Sequence, residues 1–145
     1  MKLVVDASVA LKWFFHDRAG KAEADAAAAA ALDILQGFMN GRHSLIQPAH
    51  FQAEVCAVLA RKAPDRMEHH LANLRALGLG SRNDDSIYWR AMQLSTHLNH
   101  HLFDTLYHAL ALETDGAVLV TADETYFRKA AALGRLMSLS AWTVH

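Results

Sequence analysis

The chain has 145 residues and a formal net charge of −1, with 52% hydrophobic and 20% charged residues. This composition is typical of a globular protein long enough to bury a core, and it excludes a disordered chain. The nearly neutral charge excludes binding to nucleic acid through a large positive excess, so a nucleic-acid ligand would depend on local basic residues. We expect one domain over residues 1–145.

Two further features indicate the cellular compartment. No apolar run approaches the ~20 residues that a membrane helix needs, so no membrane partner is expected. The single cysteine, Cys56, cannot form an internal disulfide. Both observations favour a protein of the reducing cytoplasm.

Short apolar runs alternate along the chain with stretches of helical periodicity or composition. The alanine tract before Phe38 favours a helix because alanine is the best helix former, and Pro48 suits a first helical turn. In chain order, the predicted elements are a strand at 2–5, a helix at 19–38, a strand at 45–47, helices at 48–62 and 64–77, a short strand near 79, helices at 84–98 and 104–113, a strand at 117–120, a helix at 123–133 and a strand at 136–139. Such alternation predicts an α/β fold, with a mostly parallel sheet and helices on both faces.

Four acidic residues stand alone in apolar sequence. Asp6 is the only charge between Lys2 and Lys12, and Asp123 follows an uncharged run of six residues. Glu54 and Asp104 are isolated in the same way within predicted helices. Because a carboxylate in apolar surroundings is costly unless it is paired, these four acids are candidates for a site.

The predicted topology brings the four acids to one edge of the sheet. Asp6 and Asp123 follow strands, and parallel strands end at the same edge. Asp104 opens a predicted helix and Glu54 lies in the second turn of another, and the connecting helices begin at that edge too. Open α/β sheets bind ligands at this carboxyl edge.

Clustered carboxylates repel one another unless a cation is bound. Their hard oxygen atoms select Mg²⁺ or Mn²⁺, which can activate water for phosphodiester hydrolysis. The other interpretation is that Asp6, Asp104 and Asp123 cap helices while Glu54 flanks an apolar stripe. If the acids form a metal site, replacing any of the four by its amide should not destabilise the metal-free fold.

Four segments around these acids resemble the PIN-domain family, and within it the VapC-type toxins. They read VVDASVALKWF at 4–14, PAHFQAEVCAVL at 48–59, FDTLYHALA at 103–111 and LVTADETYF at 119–127. The segments occur in the family's order and at its usual spacings. Two departures are His108, where the family more often has an aliphatic residue, and the long alanine-rich helix.

The resemblance implies a three-layer α/β/α sandwich around a central, mostly parallel five-stranded sheet, in a dimeric protein. It implies that Asp6, Glu54, Asp104 and Asp123 form a Mg²⁺ or Mn²⁺ site, with Thr121 and Ser8 in supporting positions. The expected function is an endoribonuclease that acts as a toxin and is inhibited by a cognate antitoxin. The inhibitor would place a basic side chain in the acidic cleft, whose walls Val9, Trp13, Phe14 and Phe51 are expected to make apolar.

Three other functions stay open at this point. His97 and His101 are four residues apart, and His100, Asp104 and His108 repeat at the same interval, which would suggest a zinc-dependent hydrolase if residues 97–111 formed one helix. The histidines could also serve a metal-free ribonuclease. An inactive binding module with the same fold is a further alternative. A haloacid-dehalogenase-type phosphatase fits poorly, because Ser8 occupies the place of its second aspartate.

Overall fold

The computed structural model describes residues 1–15 and 22–145. Five strands form one sheet in the order β3-β2-β1-β4-β5, and all four neighbouring pairs are parallel. The strands are β1 (Lys2–Val5), β2 (Ser44–Gln47), β3 (Gly80–Ser81), β4 (Ala117–Thr121) and β5 (Leu136–Ser138). The helices are α1 (Ala7–Ala10), α2 (Ala22–Met39), α3 (Phe51–Lys62), α4 (Met67–Ala76), α5 (Asp85–Leu98), α6 (Leu102–Leu112) and α7 (Glu124–Ala130).

This architecture confirms the predicted α/β fold with its five-stranded parallel sheet and flanking helices. Right-handed crossovers place α1 to α4 on one face and α5 to α7 on the other. The central strand β1 is buried on both faces, and its Leu3, Val4 and Val5 side chains are fully covered. Near-continuous apolar strands of this kind are typical of a sheet that lies between two helical layers.

Helices α5 and α6 form a packed pair. Helix α5 buries one stripe, Ile87, Ala91 and Leu94, as a half-exposed amphipathic helix does. Helix α6 buries every residue from 105 to 111, because it lies between α5 and the sheet. Its apolar sequence therefore follows from its position in the middle of a layer.

Several boundaries differ from the predicted ones for local reasons. Helix α1 was expected only in the interpretation that Asp6 caps a helix, and it begins at once after Asp6, which caps it. Helix α3 begins at Phe51, not Pro48, because a turn comes first in which the Phe51 amide donates to the Pro48 carbonyl. Helix α6 begins at Leu102, so Asp104 lies inside its first turn and is not its N-cap. Residues 19–21 of the predicted helix 19–38 lie outside the described residues.

Helix α2, as far as the structure describes it, packs against the segment after α1. Trp13 is buried there, and its indole nitrogen donates to the Ala31 carbonyl at 2.9 Å. Val9 and Phe51 are also core residues. Trp13 and Phe14 line one groove, with His70 and Leu77, and Phe51 lines another. Neither groove includes one of the four acids, so these residues do not wall a cleft together with them.

None of the helices in the described ranges is both long and apolar enough to cross a membrane.

Candidate metal centre

The strand order reverses direction between β1 and β4. The chain leaves β1 towards β2 on one side, whereas β5 lies beyond β4 on the other side. Such a switch point leaves a crevice at the carboxyl ends of the two strands, where open α/β sheets bind ligands. Asp6 directly follows β1, and Asp123 lies two residues after β4.

Asp6 is held by three donors. Its side chain accepts hydrogen bonds from the hydroxyls of Ser8 and Thr121 and from the Val9 amide at 3.3 Å. Asp6 therefore does cap α1, as the alternative interpretation expected. Burial nevertheless raises the pKa of Asp6 to about 6, against the opposing effect of these bonds, and the charge of Asp104 adds to the rise.

Thr121 connects Asp6 to the segment that carries Asp123. The Thr121 side chain is fully buried, and its hydroxyl accepts from the Asp123 amide at 3.0 Å while it donates to Asp6. Ser8 makes the parallel link, because its hydroxyl donates to Asp6 and accepts from the Ala122 amide at 3.2 Å. Ser8 and Thr121, the two supporting residues expected from the sequence, thus tie β1 and β4 together at their carboxyl ends.

Asp123 is the N-cap of α7. One of its carboxylate oxygens accepts from the Tyr126 amide at 3.1 Å, which satisfies a free donor of the first helical turn. The side chain is half-buried at the same edge of the sheet. Capping and ion binding are compatible, because a carboxylate has about four lone-pair positions on its two oxygens.

Asp104 is in contact with two histidines. Its Oδ2 atom lies 2.6 Å from His100 Nε2 and 3.2 Å from His101 Nε2. The negative charge of Asp104 also acts on Asp6, so these two carboxylates lie in one electrostatic environment.

Glu54 faces the same crevice from α3. Its Oε1 atom accepts from the Tyr107 hydroxyl at 2.6 Å and lies 3.1 Å from His50 Nε2. Burial alone would raise the pKa of Glu54, but the hydrogen bonds from His50 and Tyr107 lower it, helped by the charges of His50 and His101.

The pKa values of two buried tyrosines respond to the charges of these acids. Burial and the bond to Glu54 raise the pKa of Tyr107, and the charges of Glu54, Asp6 and Asp104 raise it further. The pKa of Tyr126 is raised by burial and by Asp104 and Asp6. The charges of three of the four predicted acids therefore act on Tyr107, although only Glu54 contacts it, and Asp123 is linked to Asp6 through Thr121.

The four histidines of the zinc hypothesis do not form one cluster. Helix α5 ends at Leu98, and Asn99 takes a left-handed conformation with φ = 50°, so residues 97–111 are not one helix. His97 is exposed, whereas His108 is fully buried and bonded to Tyr126 and the Gly134 carbonyl. Of the four, only His100 and His101 contact Asp104.

Sequence reasoning missed two residues that hold the acids, His50 and Tyr107, and it considered the interval from His100 to Asp104 only as part of a zinc pattern. Spacing gave a signal for His50 too, because it precedes Glu54 by four residues, as His100 precedes Asp104. Residues at this spacing are neighbours on one helix face. Tyr107 had no comparable signal, since its bond to Glu54 spans 53 positions.

These residues fit a divalent cation of the Mg²⁺ or Mn²⁺ type. Asp6, Glu54, Asp104 and Asp123 would offer carboxylate oxygens, which such ions prefer, although among the described residues no three of these acids have ligand atoms within 4.8 Å of one another. Burial and a neighbouring negative charge disfavour the ionised form of Asp6. A bound cation would favour the ionised carboxylate of Asp6 and so offset this effect. The electrostatic surroundings of Asp6 therefore support the fit to a cation.

A family model described as the PIN domain matches residues 3–133. A comparison with curated proteins gave no match. The matched region includes all four acids and both hydroxyl residues around the switch point, from Asp6 to Asp123, and most of the sheet. The chain therefore belongs to the PIN-domain family, whose members are nucleases that usually depend on divalent metal ions.

Proposed function

We propose that this chain is a Mg²⁺- or Mn²⁺-dependent endoribonuclease and the toxin of a toxin–antitoxin pair of the VapC type, active in the cytoplasm. The observation that carries the nuclease part is the half-buried Asp6 at the switch point, in the field of Asp104 and bonded to Thr121. Membership of a nuclease family supports the same chemistry.

The ligands of the ion would be Asp6, Glu54, Asp104 and Asp123. When bound, the ion supplies activation of water and stabilisation of the leaving oxygen of a phosphodiester. The protein's part is to fix the carboxylates: Ser8 and Thr121 orient Asp6, Tyr107 orients Glu54, and His100 orients Asp104. Held in this way, the ligands need no rearrangement when the substrate binds.

Cleavage assays with amide variants test the nuclease part. We expect Asp6→Asn, Glu54→Gln, Asp104→Asn and Asp123→Asn each to reduce RNA cleavage by about a hundredfold or more, the usual effect of losing one stabilising group in an active site. Asp115→Asn is the matched control, since Asp115 is exposed and lies before β4, at the opposite end of that strand. Full activity in the four variants would overturn the proposal.

The cleavage products and the metal requirement distinguish metal-dependent cleavage from cleavage by histidines and from an inactive binding module. Cleavage should stop in EDTA, return with Mg²⁺ or Mn²⁺ and leave 5′-phosphate ends, because the ribose 2′-hydroxyl takes no part. Cleavage that persists in EDTA and leaves cyclic phosphates would assign the reaction to the histidines. An inactive binding module would give no cleavage under any of these conditions.

The toxin part rests on the resemblance and on a groove beside the centre. A groove of about 480 Å³ lies between α2 and the C-terminal segment and reaches Ala122 and Glu124. Its walls are apolar, from alanines of α2 together with Trp142 and Val144, while Lys12 and Glu23 supply charge. An amphipathic inhibitor segment with a terminal Arg or Lys would suit this groove and reach the acidic cluster.

Growth assays test the toxin part separately from cleavage. We expect the wild-type chain alone to arrest growth and Asp6→Asn not to do so, and we expect co-expression of the cognate antitoxin to restore growth. Equal slowing of growth by wild type and Asp6→Asn would show that toxicity does not depend on the carboxylate.

A homodimer is part of the same proposal. Helix α5 exposes Tyr88, Trp89 and Met92, and the Trp89 side chain is 61% exposed. Contiguous exposed apolar groups of this size are frequent at protein interfaces. Sedimentation of the wild-type chain and of Trp89→Ser would test this: the wild type should be a dimer and the variant a weaker one.

A further inference from the structure

Two histidines and an aspartate form a second group of possible metal ligands, beside the four carboxylates of the candidate centre. One ligand atom from each of His100, His101 and Asp104 lies within 4.8 Å of the other two. In residues 1–15 and 22–145 this is the one group of three or more such residues that meets this spacing. Asp104 belongs to both sets.

The turn between α5 and α6 builds this group. Asn99 ends α5 in a left-handed conformation, and the His100 amide then donates to the Ser95 carbonyl at 3.1 Å. The Ser95 hydroxyl donates to the His100 carbonyl at 2.5 Å. The backbone of His100 is therefore fixed from both sides, which places its imidazole over Tyr126, with ring centroids 5.0 Å apart.

The ligand atoms of this group differ in kind from the carboxylate oxygens of Asp6, Glu54 and Asp123. Two imidazole nitrogens and one carboxylate oxygen suit Zn²⁺ and related transition ions, whereas Mg²⁺ prefers oxygen ligands only. The side chain of His101 is 67% exposed, so an ion can enter from solvent and keep a water as a further ligand.

We infer that His100, His101 and Asp104 form a second metal site, which takes an imidazole-binding ion of the Zn²⁺ class. Its ligands are His100 Nε2, His101 Nε2 and a carboxylate oxygen of Asp104. The site is open on the His101 side and closed by Tyr126 behind His100.

Lys129 opposes the binding of an ion at this site. Its ammonium group lies 3.2 Å from His100 Nδ1 and 3.3 Å from the Asn99 carbonyl. An ammonium only donates, so Nδ1 accepts this bond and Nε2 carries the proton that faces Asp104. A ligating His100 needs the other tautomer, with the proton on Nδ1. Removing the Lys129 amine should therefore strengthen binding.

Occupancy of this site has a consequence for cleavage, which rests on the proposed function. Asp104 would be engaged by the Zn²⁺-class ion and withdrawn from the Mg²⁺ or Mn²⁺ ligands. Zn²⁺ should therefore inhibit cleavage over the same concentration range in which it binds.

Calorimetric titration of the tag-free full chain with Zn²⁺ tests the site, and Co²⁺ absorption reports imidazole ligation. We expect one ion per chain with imidazole coordination, and weaker binding by His101→Gln. Loss of even an outer partner weakens metal binding about 10–100-fold, and loss of a ligand should cost at least as much. His101 is exposed, so its replacement leaves the fold intact.

Three further variants complete the test. His97→Gln removes an exposed histidine outside the group and should bind Zn²⁺ like wild type, and Lys129→Met should bind it more tightly. Asp6→Asn should keep Zn²⁺ binding while it loses cleavage, which separates this site from the carboxylate centre. Equal affinity of wild type and His101→Gln, or loss of binding in Asp6→Asn, would overturn the inference. Binding without inhibition of cleavage would support the site and contradict the proposed role of Asp104.

Discussion

At the scale of single residues, Asp6 is a carboxylate whose surroundings favour its protonated form. Its pKa is raised to about 6 by burial, so without a metal its contribution to stability is complete at low pH and is lost as the pH rises through about 6. Asparagine does not ionise. We expect Asp6→Asn in EDTA at neutral pH to raise the free energy of unfolding, by up to roughly 3 kcal/mol for a shift of this size.

Thermal melts from about pH 4 to pH 8 measure this effect, because the difference between wild type and Asp6→Asn should grow with pH. Glu54→Gln should have the opposite effect on stability, because hydrogen bonds from His50 and Tyr107 lower the pKa of Glu54. The expectation that all four amides spare the metal-free fold is therefore revised for Glu54, whose amide should be destabilising. A lower melting temperature of Asp6→Asn in EDTA would mean that Asp6 is a structural residue.

At the scale of elements, His108 joins α6 to α7 and to the loop before β5. Its Nε2 lies 2.9 Å from the Gly134 carbonyl, which only accepts, so Nδ1 accepts from the Tyr126 hydroxyl at 2.9 Å. Burial lowers the pKa of His108, which keeps the ring neutral and suits this arrangement. His108, which stands where the family more often has an aliphatic residue, thus has a structural role. It adds no ligand to the metal centre.

Urea unfolding of a double-mutant cycle tests this link. His108→Leu leaves the Tyr126 hydroxyl and the Gly134 carbonyl without their partner and should cost about 1–3 kcal/mol. Adding Tyr126→Phe removes one of the stranded groups, so the double variant should lose less than the sum of the single losses. Tyr88→Phe, at an exposed position of α5, is the control and should change little. Strict additivity would contradict the bond.

At the scale of the whole molecule, Asp33 of α2 holds distant parts of the chain together. It accepts from Trp142 Nε1 at 2.9 Å and from the His145 amide at 3.2 Å, and it pairs with Arg42 at 3.2 Å. Burial alone would raise the pKa of Asp33, but these hydrogen bonds lower it to about 2. The stability that it contributes is present above the ordinary pKa of 3.8 and is lost as the pH falls towards 2.

We expect Asp33→Asn to lower the free energy of unfolding at neutral pH by about 1.5–3 kcal/mol, the usual worth of hydrogen bonds to a charged group. Near pH 2 the difference from wild type should shrink, because about half of the wild-type carboxyl groups are then protonated. Unfolding curves at several pH values measure this, with the exposed Asp85→Asn as control. A difference that does not change with pH would show that the charge of Asp33 plays no part.

The sequence by itself determined the order and type of most elements, and with them the edge of the sheet at which Asp6, Glu54, Asp104 and Asp123 begin or end their segments. These features are local: apolar periodicity, an alanine tract and isolated charges are visible within a few residues. The short helix α1 was indicated only by the possible cap at Asp6, because Ala7–Ala10 is too short to show a period. The exact start of α6 depended on the turn at Asn99.

Ser8 and Thr121 were expected near the acids from the resemblance, but only the tertiary structure decided which acid each donor holds. The bond from Thr121 to Asp6 spans 115 positions and the bond from Tyr107 to Glu54 spans 53, so neither leaves a periodic trace. The histidines are the plainest case: His97 is exposed, His100 and His101 contact Asp104, and His108 is buried against Tyr126. An imidazole suits water, a carboxylate or a buried hydroxyl almost equally well, so its role is fixed only by what the folded chain places beside it.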